Sequence, residues 1–285
     1  KSEFYLFKTD EVGNPTNEPF DNGGYFDVAP NDKGENIRRE ICLTLEEMGI
    51  SPQSSHHERG PGQNEIDFMS GDVLTTADNL VTYKNVVENI AARNGVWASF
   101  DPLPLPGAPG NGLHIKMANY RGGVNLQNED KEFSEGFMAG IINRMRDITL
   151  FLNCRKDSYD RFGMNEAPKY ITWSEQNNSR LFRVPEFKGK REHFILRSPD
   201  SCINPYLASA IIIQAGLAGV NNKEKLPPAL EVNSRQMTDE ISSNLEMLPQ
   251  SLDEAIECAQ NSQFIKNSDF AAVATHYIEK IKSTN

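Results

Sequence analysis

A chain of 285 residues, 38% hydrophobic and 24% charged, has ordinary globular proportions and enough apolar material for a sizeable core in one large domain or two smaller ones. Its formal net charge of −11, with no long run of Lys or Arg, argues against a general nucleic-acid partner, because phosphate binding needs clustered cations. The apolar stretch around Ile211 to Ile213 is too short and mixed to span a bilayer, and Cys42, Cys154, Cys202 and Cys258 form no CxxC pair, so the expectation is a soluble, cytoplasmic protein with reduced thiols and no membrane partner.

In chain order, Lys1-Ser2-Glu3-Phe4-Tyr5-Leu6-Phe7 is an alternating, aromatic-rich strand with no lead-in, which predicts a further N-terminal region in the natural protein. A turn-rich loop, Asp21 to Asp27, leads to a helix after Asn36 with Ile37, Ile41, Leu45 and Met48 on one face and Gly49 as its stop. The run from Ser55 to Asp67 then gathers His56, His57, Glu58 and Glu65 around Gly60-Pro61-Gly62. Two strands about that hinge bring Glu58 and Glu65 back to one place, as an oxygen-bound divalent cation requires; a solvated polar loop accounts for the same residues.

Helical spacing returns from Thr76 to Asn94, and Val96 to Phe100 reads as a short strand. The prolines of Asp101 to Gly110 remove backbone donors too often for a helix or a central strand, so this is a loop into the alternating segment Leu113 to Met117. Ser134 to Asn153 reads as one amphipathic helix whose methionines serve packing. Tyr170 to Trp173, Leu181 to Val184 and Phe194 to Arg197 read as strands separated by polar turns, which favours antiparallel pairing. Helices follow at Leu207 to Leu217, with Asn204 as cap and Pro205 at its first position, then near Ser251 to Gln260 and Phe270 to Lys282.

Four segments now stand in a telling order: His56-His57-Glu58 with Gly62-Gln63-Asn64-Glu65, Gly110-Asn111-Gly112-Leu113-His114, Asn165-Glu166-Ala167-Pro168, and Arg197-Ser198-Pro199-Asp200 with Asn204-Pro205-Tyr206. Together they resemble the catalytic domain of glutamine synthetase, in its bacterial and archaeal class. The resemblance runs from Glu3 to the last helix and implies a single α+β domain over residues 1–285, a curved, mainly antiparallel half-barrel sheet backed by helices. It implies a reaction in which ATP phosphorylates the glutamate side chain and ammonia displaces phosphate, with Mg or Mn as cofactor, within a six-subunit homo-oligomer.

Carried over residue by residue, the resemblance makes Glu3, Glu58 and Glu65 ligands of a first metal. Gly110 and His114 match a glutamate-contacting loop, with His114 also a metal ligand. Arg161 and Arg197 match substrate clamps, Glu166 matches the acid that takes a proton from ammonium, and Arg183 and Lys190 match basic positions near the nucleotide phosphates. His56 and His57 read as hydrogen-bonding residues beside the metal.

The chain also departs from the pattern. Lys1 and Ile195 stand where a second metal's glutamates belong, and Lys116, Asn178 and His193 replace a histidine and two basic positions. Residues two apart on a strand share a face, so Lys1 is expected to point with Glu3, and Ile195 with Arg197. Three readings of these departures stand: catalysis with the charge of Lys1 and Lys116 in place of the second metal, a non-catalytic member that binds glutamate or a related amine-acid, or Lys1 as a truncation remnant, which leaves Ile195 unexplained. Separately, the resemblance leaves open a ligase for a larger amine such as a polyamine.

Overall fold

Alternation along β1 (Ser2–Thr9) sets up the first sheet: Phe4 and Leu6 turn to one face, Glu3 and Tyr5 to the other. The computed structural model describes residues 1–232 and 237–284 and falls into two units, Lys1–Leu113 with Asp200–Tyr206, and His114–Pro199 with Leu207–Asn285. In the first unit β1 is followed by β2 (Pro15–Pro19), α1 (Glu35–Glu47), β3 (Pro52–His57), β4 (Gln63–Phe68), α2 (Val73–Arg93) and β5 (Val96–Ser99).

β1 is the centre of this five-stranded antiparallel sheet. Phe7 pairs with Pro19 and with Trp97, and Tyr5 with Gln63 and with Ser99, so β2 and β4 share one edge of β1 while β5 takes the other. β3 lies beyond β4. The apolar face packs on the helices: Phe4 and Phe68 meet the fully buried Tyr83 of α2 with ring centroids 6.4 and 5.9 Å apart. α2 begins three residues earlier than its apolar spacing predicts, because Asp72 caps it by accepting from the Thr75 amide.

The second unit runs through β6 (Ile115–Met117), the hairpin β7 (Tyr120–Arg121) and β8 (Val124–Asn125), and helices α3 (Leu126–Glu129), α4 (Lys131–Ile142), α5 (Met145–Leu152) and α6 (Lys156–Asp160). Short strands follow: β9 (Trp173–Ser174), β10 (Phe182–Arg183), β11 (Glu186–Phe187), β12 (Lys190–Arg191) and β13 (Phe194–Leu196). α7 (Pro205–Asn221), α8 (Asp239–Ser242), α9 (Leu252–Asn261), α10 (Gln263–Lys266) and α11 (Ala271–Thr284) complete the described residues. The four-stranded sheet has the order β6-β13-β10-β9, and neither main sheet closes on itself.

Two expectations need correction. The helix read over 134–153 is two, because at Asn143 and Arg144 the chain breaks and the Arg144 side chain turns back onto the Gly140 carbonyl at 2.9 Å while pairing with Glu224. In the second sheet β9 runs parallel to β10, the one exception among its described pairings, although only residues 175–181 lie between them. The fold is α+β with open, mainly antiparallel sheets.

Packing in the second unit depends on glycine where α4 meets α7. A Cβ on Gly140 would sit 2.3 Å from the Ala215 carbonyl, and one on Gly219 at 2.3 Å from that of Gly136, so the two backbones touch. No described helix is long and apolar enough to cross a membrane.

Candidate functional site

The polar face of the first sheet carries the acids. Glu3 lies opposite Glu65, and Glu65 opposite His56, so three neighbouring strands present these side chains in one row. One row further, Ser54 faces Asp67. Glu58 leaves the end of β3 and is folded back by the Gly60-Pro61-Gly62 turn, which closes through Glu58 N to Gln63 O at 2.8 Å and Gln63 N to Gly60 O at 2.9 Å. Gly62 has φ +70°, and a Cβ there would meet the Leu6 carbonyl at 2.6 Å.

Ligand atoms of His56, Glu58 and Glu65 lie within 4.8 Å of one another, and a Glu3 oxygen lies within the same distance of a Glu65 oxygen. The Glu3 carboxylate accepts from the Gly112 amide at 2.7 Å and from Gln63 Nε2 at 3.3 Å, and Gln63 also donates to the Gly110 carbonyl at 3.2 Å. Tyr5, beneath them, donates to the Pro109 carbonyl, and burial followed by the Glu3 and Glu58 charges raises its pKa well above the phenolic norm. Loop 109–113 is thereby tied to the acidic face.

Lys1 is part of this face. Its Nζ stands 2.8 Å from Glu65 Oε1 and 2.9 Å from Asp67 Oδ2. Burial opposes its charge, but the Glu65 and Asp67 carboxylates outweigh burial and raise its pKa above the usual lysine value.

His57, by contrast, is spent on the fold. It is fully buried, with Nδ1 2.6 Å from the Glu58 carbonyl and Nε2 2.8 Å from Asp21. Both partners only accept, so both ring nitrogens donate and the ring is an imidazolium. Burial works against this ion pair, yet the mutual hydrogen bond prevails: the His57 pKa is raised and that of Asp21 lowered to about 2. Asp21 further accepts from the amides of Gly23, Lys33 and Gly62, so it ties two loops, 20–34 and the β3–β4 turn, to the base of Glu58. Sequence reasoning missed Asp21, Gln63 and Asp67 as members of this network. Asp67 carries the one available signal, its two-residue spacing from Glu65.

In the second unit, Arg197 Nη2 stands 3.5 Å from Glu166 Oε2, and the Glu166 side chain is 43% exposed. Arg161 is buried and donates to the carbonyls of Ser198 and Pro199, which anchors the segment after Arg197. Three of the sequence departures converge on one place. Arg183 pairs with Ile195 and Ile195 with Lys116, forming a row across β10, β13 and β6. Neither Arg183 nor Lys116 has an ion-pair partner among the described residues, and Arg183 Nε is buried without a hydrogen bond. Burial, with Lys116 and Arg183, lowers the pKa of His193 beside them. Lys190 is not brought into this row; it stands exposed on the β11–β12 hairpin. His114 opens the second unit, directly after Leu113, whose backbone bridges Ser2.

Comparison with known proteins decides the family: the model described as "Glutamine synthetase, catalytic domain" matches residues 1–284. The chain belongs to the glutamine synthetase family. It is 41% identical over 285 residues to a glutamine synthetase of Methanosarcina mazei, covering 97% of this chain and 64% of that protein. It is 42% identical over 275 residues to one of Clostridium saccharobutylicum, covering 93% of this chain and 62% of that protein. The chain thus spans somewhat under two thirds of the length of these relatives. Among solved structures, a GmaS/ADP complex superposes with a TM-score of 0.87 at 26% identity, over 99% of this chain and 67% of that one. A Plasmodium falciparum glutamine synthetase shares the fold with a TM-score of 0.82 at 22% identity, over 99% and 70% of the respective chains.

Proposed function

We propose that this chain is a glutamine synthetase-type catalytic domain, in which both units serve ATP-dependent ligation of ammonia to the side-chain carboxylate of glutamate. The observation that carries the reading is the convergence of Glu58, Glu65 and His56, with Glu3 beside Glu65, on one sheet face. The donor set fits a hard divalent cation: three carboxylates on adjacent strands, two of them already oriented by neighbouring hydrogen bonds. Mg or Mn would be held by Glu3, Glu58 and Glu65. Bound there, the ion supplies positive charge that offsets repulsion between a carboxylate and phosphates.

The remaining roles belong to the chain's own groups. A γ-carboxylate oxygen of glutamate attacks the γ-phosphorus of ATP and ADP leaves; the nitrogen of ammonia then attacks the acyl carbon and phosphate leaves. The family pattern assigns His114 and Gly110 to glutamate, with His114 also as a ligand, and Arg197 to the carboxylate and transferred phosphoryl group. Glu166, exposed and next to Arg197, takes the proton that ammonium must lose before it attacks. Arg161, whose Nη2 donates to the Ser198 and Pro199 carbonyls, steadies the segment after Arg197 and is assigned to the substrate carboxylates and phosphates by the family pattern. Arg183 supplies charge toward the ATP phosphates, and the exposed Lys190 is assigned to them by the family pattern alone. A cytoplasmic homo-oligomer is part of the same proposal.

A second reading has a specific observation in its favour. The Arg183–Ile195–Lys116 row contains no carboxylate, so a metal has no oxygen donor within it, and a non-catalytic member that binds glutamate or a relative accounts for this. Ligation of a larger amine is the third reading, carried by the family resemblance. One assay orders all three: formation of γ-glutamyl product from ATP and glutamate with hydroxylamine, ammonia, methylamine or a polyamine, for wild type and Glu65→Gln at saturating Mn. Product from ammonia that disappears in Glu65→Gln supports ligation, product from the larger amines alone supports the third reading, and glutamate binding without product with any amine supports the second.

A further inference from the structure

We infer that Lys1 is a fixed internal cation of the acidic face, occupying the oxygens a second divalent ion needs and limiting this site to one. The inference rests on the metal reading of Glu3, Glu58 and Glu65 given above.

Lys1 directly precedes the Ser2–Ile66 pair that ends the β1–β4 register, two residues from Glu3. From there one ammonium reaches two carboxylates of β4, Glu65 Oε1 at 2.8 Å and Asp67 Oδ2 at 2.9 Å. Bridging neighbouring carboxylates is what a divalent ion does in a protein; here a point charge on a flexible stem does it. Asp67 is only 4% exposed, and its second oxygen, Oδ1, is buried with no hydrogen-bond partner, while Oδ2 also accepts from Ser54 at 2.9 Å. A buried carboxylate with an unused oxygen is costly for folding alone and is suited to a cation larger in charge than an ammonium.

Without the ammonium, Glu65 and Asp67 would present facing oxygens, with His56 Nε2 3.7 Å from Glu65 Oε1. Those donors fit a hard cation, and the ammonium denies them to it. A tethered lysine also differs from a bound ion in kind, since no chelator removes it. The competing explanation is an ordinary ion pair that ties β1 to β4. That role changes thermal stability and leaves the number of bound ions alone.

The experiment is calorimetric titration of Mn into the metal-free full chain, with bound Mn counted by electron paramagnetic resonance, for wild type, Lys1→Ala and Lys1→Glu. One Mn per wild-type chain and two per Lys1→Glu chain are expected, and Lys1→Ala should either gain the second ion or bind the first at least about tenfold more tightly. If Lys1→Glu does not fold, Lys1→Ala decides. Both variants binding one Mn within about twofold of wild type would overturn the inference and leave the proposed metal site standing. Two Mn in wild type would overturn it as well, and no Mn in any chain would overturn both. Mn bound by the variants and not by wild type would overturn the limit of one ion, since Lys1 would then exclude the first ion as well.

Discussion

The acidic face of the first sheet and the basic row of the second treat charge in opposite ways. On the first, Glu65 has Lys1, Glu58 has His56, and Glu3 has the Gly112 amide and Gln63, so the acids are held in place by neighbours. On the second, Arg183 and Lys116 stand either side of Ile195 with no ion-pair partner among the described residues. Answered charges give a preorganised site whose geometry survives in the empty protein, whereas like charges set in one row cost stability and gain from an anion outside the chain. The same chain therefore carries one acidic face whose charges are answered and one basic row whose charges, among the described residues, are not.

The comparison breaks most severely at Asp21. Asp21→Ala leaves the buried His57 imidazolium unpaired and three loop amides without an acceptor, so chemical denaturation should show a loss of about 3–5 kcal/mol. A loss under about 1 kcal/mol would mean that His57 sheds its proton and the acidic face does not depend on this anchor.

A smaller effect is expected at Glu224, an answered charge in the second unit away from the basic row. Hydrogen bonding to Arg144 is the main cause that lowers its pKa from 4.5 to about 2. A depressed carboxylate adds stability above the unfolded value, so the advantage of wild type over Glu224→Gln should hold above pH 4.5 and vanish as pH falls toward 2. For this largely buried pair the advantage is about 1–2 kcal/mol. Paired melts across pH 2–7 check the sign.

Ile195→Glu should have the smallest effect on stability and the most telling one on the comparison. A carboxylate between Arg183 and Lys116 makes two opposite-charge cross-strand pairs, worth about 0.2–1 kcal/mol each less the cost of burying a charge. Affinity for ADP in metal-free buffer, measured by calorimetry, should fall. Unchanged affinity would detach the basic row from nucleotide binding.

Much of the fold was legible because periodicity survives translation into space. β1, β3, β4 and β13 lie where alternation puts them, α7 begins at Pro205 with Asn204 accepting from the Tyr206 amide, and the Gly60-Pro61-Gly62 turn returns Glu65 to Glu58. The break between α4 and α5 was not legible, since it depends on Arg144 finding Glu224 far along the chain. Nor was the role of Asp21, 36 residues from His57.

By itself the sequence determined which residue types were available and their local order: the two-residue spacing of Glu65 and Asp67, the turn that doubles β3 onto β4, and the family pattern with its departures. Tertiary structure alone decided the partners. Strand pairing brought Lys1 within reach of Glu65 and Asp67 and lined up Arg183, Ile195 and Lys116, because pairing between strands fixes which distant side chains share a row and an interaction a few ångströms long cannot be read from spacing along the chain.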